Sequence, residues 1–429
     1  VKRCLIIYHS FDDWEMGPIR LRRIARHLER HHFQPVVLTS PANSRSVAGL
    51  PPGLEILRAD ALDLAEVYRR LRGRAPRPDS PRRADQRAIG LTSAINRWCL
   101  VPDKQVTWVR PAVRLARAYL RRHPVDVLFA SLAPRSNLLV AARLARDLGL
   151  PCVLEYRDLW TGSPYHHLAQ PTRLHDALHA HLERSALAAA TRVTAVSRGI
   201  ADYLQQQYGH ALRAPVALQH GFFDPAEYPA VPPRAAGGPF VISYVGAFYA
   251  TRQPTAFFEG LRMFVDRRQL APERLRFRWA GSVMGGPDFE RMLERLALAP
   301  YVDRIGQVAH GEALRLLCES DASLLIQAPD DTIHIPGKLF EALGARVPLL
   351  ALSPPCETTE LIERMRAGRT CPHDPAAVAD ALEQLWTWRQ SGTPWPYDED
   401  ARGGFAADAA LERLTNLFEE AISACPRPS

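Results

Sequence analysis

The residues best suited to chemistry stand together in Ile335-Pro-Gly-Lys-Leu-Phe-Glu341. Pro336 and Gly337 predict the opening of a helix, which puts Lys338 in a first turn whose free backbone N–H groups already attract anions. Glu341, three residues on, shares the face of Lys338. A carboxylate there can accept hydrogen bonds from two ribose hydroxyls while the lysine serves a phosphate. A second candidate is Gly246-Ala-Phe-Tyr-Ala-Thr-Arg252, directly after an apolar run. The glycine lets backbone N–H groups come close to a diphosphate, and Arg252 supplies charge-assisted hydrogen bonds. The segment is neither a Walker A loop nor G-x-G-x-x-G, so it gives no support to a kinase or a dehydrogenase.

Three further segments carry weaker signals. Tyr156-Arg-Asp-Leu-Trp160 follows another apolar run that contains Glu155. Charged residues in and beyond a buried strand are costly unless paired or used. Arg157 and Asp158 therefore read either as a structural pair or as part of a cleft. Gly17, just ahead of a helix that includes Arg20, marks either an anion-favouring helix start or an ordinary turn. His175 and His179 have the i, i+4 spacing of a metal pair, but without the Glu of H-E-x-x-H or an evident third ligand. A solvent-facing helix is the expectation there, with no metal site.

The elements that must position these residues alternate. Leu5–Tyr8, Pro35–Thr39, Val125–Ala130, Pro151–Tyr156, Arg192–Val196 and Val216–Gln219 read as strands, with helices over Ile19–Arg30 and Asn137–Leu148. A second series has strands at Phe240–Val245, Leu275–Ala280, Ala322–Ile326 and Val347–Leu352. Its helices are expected near Thr255–Arg268, Phe289–Leu298, Gly311–Ser320, Lys338–Gly344 and Pro375–Gln390, with a last one over Asp408–Ala424. Such alternation predicts an α/β chain of two Rossmann-like, doubly wound domains. The expected boundaries are 1–222, a Pro- and Gly-rich linker at 223–239, a second domain at 240–404 and a terminal segment at 405–429.

The 429 residues are too many for one ordinary core, and 47% hydrophobic with 23% charged residues is a globular composition. The opening apolar stretch is too short for a signal peptide, and no run reaches the length of a membrane span. Seven scattered cysteines without a C-x-x-C pair fit a reducing cytosol. A cytoplasmic location is expected, with association at the inner face of the plasma membrane as an extension. The net charge of +8 suggests an anionic partner such as nucleic acid, an acidic membrane or a phosphorylated substrate, unless arginine merely replaces lysine. Between Arg69 and Arg87, eight arginines stand against two aspartates, with three prolines. That stretch reads as a surface loop, either touching an anionic membrane or simply solvated.

In order and spacing these segments resemble the bacterial retaining glycosyltransferases of the GT-B fold, and most of all the glycosyltransferase family 4-like branch that builds cell-surface polysaccharides and glycolipids. Besides the segments above, Leu100-Val-Pro-Asp-Lys-Gln-Val-Thr-Trp108, Val193–Ser197, His220–Asp224, Ile305-Gly-Gln-Val-Ala-His310 and Pro354–Ile362 carry the likeness. The resemblance implies two domains facing a central cleft, the acceptor on the first, the nucleotide sugar on the second, and the last helix returning to the first domain. It implies donor contacts from Gly246, Arg252, Val308, Lys338 and Glu341. Val308 lies in a loop that meets the base through backbone groups. The acceptor side is implied at Gly17, Arg20, Arg157 and Asp158. Catalysis is implied by front-side attack, with Arg252 and Lys338 stabilising the leaving diphosphate and Asp158 positioning the acceptor or supporting the glycosyl cation, and with neither cofactor nor metal. The acceptor is expected to be a glycan or lipid-linked glycan, and no nucleic acid is expected as partner. Two residues depart from the pattern: Ile333 stands where the first Glu of an E-x7-E motif belongs, and His220 where relatives carry Asn. His334 or Asp331 is left to meet the sugar. A nucleotide-sugar 2-epimerase and a non-catalytic accessory subunit are the alternatives.

Overall fold

Apolar runs of four to seven residues form strands here because both of their faces can be covered. A computed structural model describes residues 1–12, 16–41, 53–61, 98–162, 172–231, 237–249, 251–284 and 289–425. The basic stretch Arg69–Arg87 lies outside the described residues. The chain divides into two compact units. One holds Val1–Val196, Ile200–Gln219 and Leu411–Ser429, and the other Ser197–Gly199 and His220–Ala410.

Along the first unit run β1 (Lys2–Ile7), α1 (Met16–Leu28), β2 (Phe33–Thr39), β3 (Glu55–Arg58), α2 (Val106–Leu120), β4 (Val127–Ser131) and α3 (Ser136–Leu148). These are followed by β5 (Cys152–Tyr156), α4 (Arg173–Ala189), β6 (Arg192–Ala195), α5 (Arg198–Tyr208) and β7 (Ala217–Leu218). The strands form one parallel sheet in the order β3-β2-β1-β4-β5-β6-β7. Leu5 pairs with Val36 on one side and Leu128 on the other, and all three are fully buried. The sequence announces neither the edge strand β3 nor the helices α2 and α5, while α4 falls where the histidine pair had suggested a helix. Glu-Ile-Leu-Arg is too short and too polar to announce a strand. The apolar face of α2 is hidden among arginines and a proline.

The second unit carries β8 (Phe240–Val245), β9 (Phe248–Tyr249), α6 (Thr255–Arg268), β10 (Leu275–Ala280), β11 (Val283–Met284), α7 (Phe289–Arg295), β12 (Val302–Arg304) and α8 (His310–Cys318). Then come β13 (Ala322–Ile326), α9 (Lys338–Ala345), β14 (Leu349–Leu352), α10 (Glu357–Arg364), β15 (Gly368–Cys371), α11 (Pro375–Ser391), α12 (Glu399–Gly403) and the start of α13 (Ala407–Ser423). Six strands pair in parallel in the order β12-β10-β8-β13-β14-β15, and β9 pairs with β11 alone. Each face of the large sheet has its own core. One is aromatic, with Phe240, Phe257, Phe258, Phe277, Phe289 and Trp386. The other packs Leu339, Phe340, Leu349, Ile362 and Phe405. Both sheets are doubly wound, as expected.

Two expectations need correction. The stretch 223–239 is not a free linker along its length. Phe223 is buried against the second unit's core, and its N–H donates to the Phe405 carbonyl at 3.1 Å. An aromatic pair at 222–223 is more favourably buried than exposed, so the unit begins at His220. The helix holding His175 and His179 does not face solvent either, since both side chains are buried. The Trp160 Nε1–H donates to His179 Nδ1 at 2.8 Å, which uses that nitrogen inside the protein.

Helix α13 leaves the second unit after Ala410, and its remainder belongs to the first. Phe418 is fully buried there, with its ring 5.4 Å from both Phe33 and Phe129. Arg192 and Glu420 pair at 3.2 Å beside it, and Lys2 pairs with Glu419. Phe418→Ala is expected to lower the unfolding free energy of the first unit by about 3–5 kcal/mol, the usual cost of emptying a buried aromatic site. Denaturant titration measures it, and a loss below about 1 kcal/mol would mean that the helix is not docked.

Candidate functional site

In an open parallel sheet the chain crosses to opposite faces on either side of one point, and the loops beyond the strands' C-terminal ends part there. In the second unit that point lies between β8 and β13, because the order runs outward from β8 to β10 on one side and to β13 on the other. The loop after β8 is Gly246–Arg252, and the loop after β13 leads to Lys338. Topology therefore brings together the two segments that the residue types had singled out.

Gly246 and Lys338 lie against each other. Gly246 has φ +137°, and a Cβ on it would come within 2.7 Å of the lysine's Cε and Nζ. Its N–H donates to the Ala280 carbonyl at 2.8 Å, and its own carbonyl accepts from Trp279 Nε1 at 3.0 Å. Lys338 Nζ lies 5.1 Å from the centre of the Tyr244 ring, which in turn stacks on Phe248 at 4.4 Å. Loss of hydration pushes the lysine's pKa down to about 8; the charge of Glu341 works against this and that of Arg252 adds to it. Two cations whose charges are felt at one point favour an anion between them.

Arg252 is held by its backbone N–H, which donates to the Tyr249 carbonyl at 3.0 Å. Its Nη2 lies 3.8 Å from Asp331 Oδ2. Asp331 Oδ1 meets His334 Nδ1 at 2.8 Å, and the buried Gln327 side chain donates to the carbonyls of both Asp331 and His334. Burial pushes the Asp331 carboxyl up, but the hydrogen bonds from His334 and the charge of Arg252 outweigh this and hold it below its ordinary value. Glu341 is buried, and its Oε1 accepts no hydrogen bond from the described residues. His310 Nδ1 lies 3.9 Å from that oxygen. A buried acceptor left open is costly, and ligand hydroxyls are the groups that relieve it. Val308 lies half-buried in the loop between β12 and α8. His220 Nε2 meets Glu357 Oε1 at 2.8 Å and its ring packs edge-on against Phe405, which makes it an anchor of its loop.

In the first unit the corresponding point lies between β1 and β4. Arg157, after β5, donates to the carbonyls of Leu132 at 2.8 Å and Gly17 at 3.1 Å, and to the Tyr8 hydroxyl at 2.9 Å. A Cβ on Gly17 would stand 2.5 Å from that hydroxyl, so only glycine lets α1 approach this closely. Arg20 donates through Nε and Nη2 to Glu155 Oε1, at 3.0 and 2.7 Å, and Ser131 Oγ donates to Oε2 at 2.7 Å. Burial pushes the Glu155 carboxyl up, and the charge of Arg20 outweighs it and keeps the group ionised. Asp158 is exposed, and its Oδ1 accepts from the Leu159 N–H at 2.8 Å. Residue types alone gave no sign of Tyr244, His310 or Gln327. A tyrosine two positions before a strand-end glycine was the available cue for the first.

A family model described as a glycosyl transferase 4-like domain matches residues 18–218, and one described as glycosyl transferases group 1 matches residues 239–387. No curated protein matches the chain. Among solved structures, sucrose-phosphate synthase from Thermosynechococcus elongatus is similar, with a TM-score of 0.66 at 15% identity over 99% of this chain and 100% of that one. Anabaena HepE, solved in complex with UDP and glucose, gives 0.64 at 15% identity over 98% and 100%. WaaG, a glycosyltransferase involved in lipopolysaccharide biosynthesis, gives 0.59 at 14% identity over 99% and 100%. At these identities the structures speak for the fold.

The lowered pKa of Lys338 has a measurable consequence. An anion binds the ammonium form, so affinity for a nucleoside diphosphate holds steady below the free lysine's pKa and falls as pH rises above about 8. Linkage makes the fall up to about tenfold per pH unit. Calorimetric titration between pH 7 and 9 reads this, and Lys338→Arg should flatten it. A flat profile in the unaltered protein would remove Lys338 from the phosphate site.

Proposed function

Because the chain belongs to the GT-B glycosyltransferases, with a glycosyl transferase 4-like first half and a group 1 second half, we propose that it moves a sugar from a nucleoside-diphosphate donor to a glycan or lipid-linked glycan, retaining the anomeric configuration and using no metal. One observation carries the donor assignment. Lys338 stands against the strand-end glycine Gly246 within reach of the charge of Arg252, and one helical turn on the buried Oε1 of Glu341 accepts no hydrogen bond among the described residues.

In this reading the two cations hold the diphosphate and Glu341 accepts from the ribose hydroxyls. Val308 lies along the base, and Asp331 and His334 stand nearest the sugar in the place vacated at Ile333. The acceptor oxygen attacks the anomeric carbon on the face that the diphosphate leaves. The new C–O bond forms as the bond to the phosphate oxygen breaks, and the acceptor's proton passes to that oxygen. Lys338 and Arg252 contribute by meeting negative charge that grows in the transition state. On the acceptor side the reading uses exposed Asp158 to position the attacking group. Arg157, Gly17 and Arg20 act through their partners, by fixing the end of β5 against α1.

The test is a panel of nucleotide sugars with and without glycan and lipid-linked acceptors, followed by release of nucleoside diphosphate and by NMR of the product's anomeric proton. Acceptor-dependent release with retention is expected. Sugar isomerised without acceptor would make the chain an epimerase, and donor binding without turnover an accessory protein. Glu341→Ala and Lys338→Ala should each weaken donor binding by roughly 1–3 kcal/mol, the loss of one charged hydrogen bond. Unchanged affinity in both contradicts the donor assignment.

A further inference from the structure

Helix α2 contains no acidic residue. Arg110, Arg114 and Arg117, with Arg121 just past its end, recur at the spacing of a single helical face. The opposite face is buried through Trp108, Ala112, Ala116 and Leu120, so the arginine row cannot turn inward. Helix α3 packs beside it and brings Arg143 and Arg146 to the same place. Between the two helices lies a groove of about 700 Å³, lined by these six arginines over an aliphatic floor that includes Val113 and Leu139.

Internal pairing leaves much of this charge unanswered. Asp147 pairs with Arg143 at 2.9 Å and also with Arg117, and Arg146 donates to the Ser185 carbonyl and hydroxyl at 3.1 and 2.8 Å. Arg110, Arg114 and Arg121 have no side-chain hydrogen bond or ion pair among the described residues. Like charges repeated along one helix face oppose helix formation, and a concave wall concentrates their field. Guanidinium forks match phosphate oxygens two at a time.

We propose that the groove between α2 and α3 is a second anion site, built for a discrete soluble ligand that carries two or more closely spaced phosphates. Its concavity favours such a ligand over a bilayer, because a flat surface reaches the rim and not the floor. The site lies wholly in the first unit and does not depend on the donor assignment in the second.

Tripolyphosphate is the probe, titrated into the full chain carrying Lys338→Ala and Arg252→Ala so that the donor loops do not compete. Saturable binding is expected, weakening as salt rises and falling tenfold or more in Arg114→Gln/Arg121→Gln. A second pair, Arg110→Gln/Arg143→Gln, repeats the test with different side chains, and thermal unfolding verifies that each variant is folded. Absence of saturable binding, or binding that neither pair weakens, overturns the proposal. So does arginine-dependent binding to vesicles containing 30% phosphatidylglycerol without binding of tripolyphosphate, which would make the face a membrane contact.

Discussion

A parallel strand cannot be followed by its neighbour without a crossover, and where successive crossovers take opposite faces the sheet is left open at its C-terminal edge. In the second unit that opening stands beside β8 and β13. The chemistry of this chain depends on that one constraint. It places Gly246 at the end of one strand and sends the chain after the other through Asp331 and His334 to Lys338. The lysine then lies over Tyr244 with much of its water removed, close to a second cation and to a carboxylate whose Oε1 accepts no hydrogen bond from the described residues. Such an arrangement is poorly balanced on its own and balanced by a ligand that has phosphate at one end and hydroxyls at the other.

The first unit uses charge differently. Glu155 is fully buried in a central strand, yet it is ionised, because Arg20 reaches it with two hydrogen bonds and Ser131 with a third. Arg157 ties the end of β5 to α1 and to the loop after β4 through Gly17, Tyr8 and Leu132. Both arginines are consumed in holding strand ends together, which leaves Asp158 as the exposed charge of that segment. A buried pair of this kind is weak evidence for stability and better evidence for a fixed arrangement of loops.

Much of this was legible in the sequence, for definite reasons. Phe240–Val245, Leu275–Ala280 and Ala322–Ile326 are central strands whose apolar runs carry their own boundaries, and the structure begins and ends them at the same residues. Edge strands gave no such signal: Gly368–Cys371 reads Gly-Arg-Thr-Cys, and Glu55–Arg58 has a charge at each end. The roles of Lys338 and Gly246 could be read from their neighbours, since a helix start and a strand-end turn are local events. Partners distant in the chain could not. Arg20 meets Glu155 across 135 positions, and His310 approaches Glu341 from another helix. The histidine pair on α4 misled because spacing says which residues share a face, and packing decides which way that face points.

The central claim is that the loops after β8 and β13 hold the donor's diphosphate and ribose. A crystal structure of the protein with a bound nucleoside diphosphate tests it most directly. The account predicts phosphate oxygens within hydrogen-bonding distance of Lys338 Nζ and the Arg252 guanidinium, and ribose hydroxyls on Glu341. A nucleotide seated away from these three side chains would contradict it.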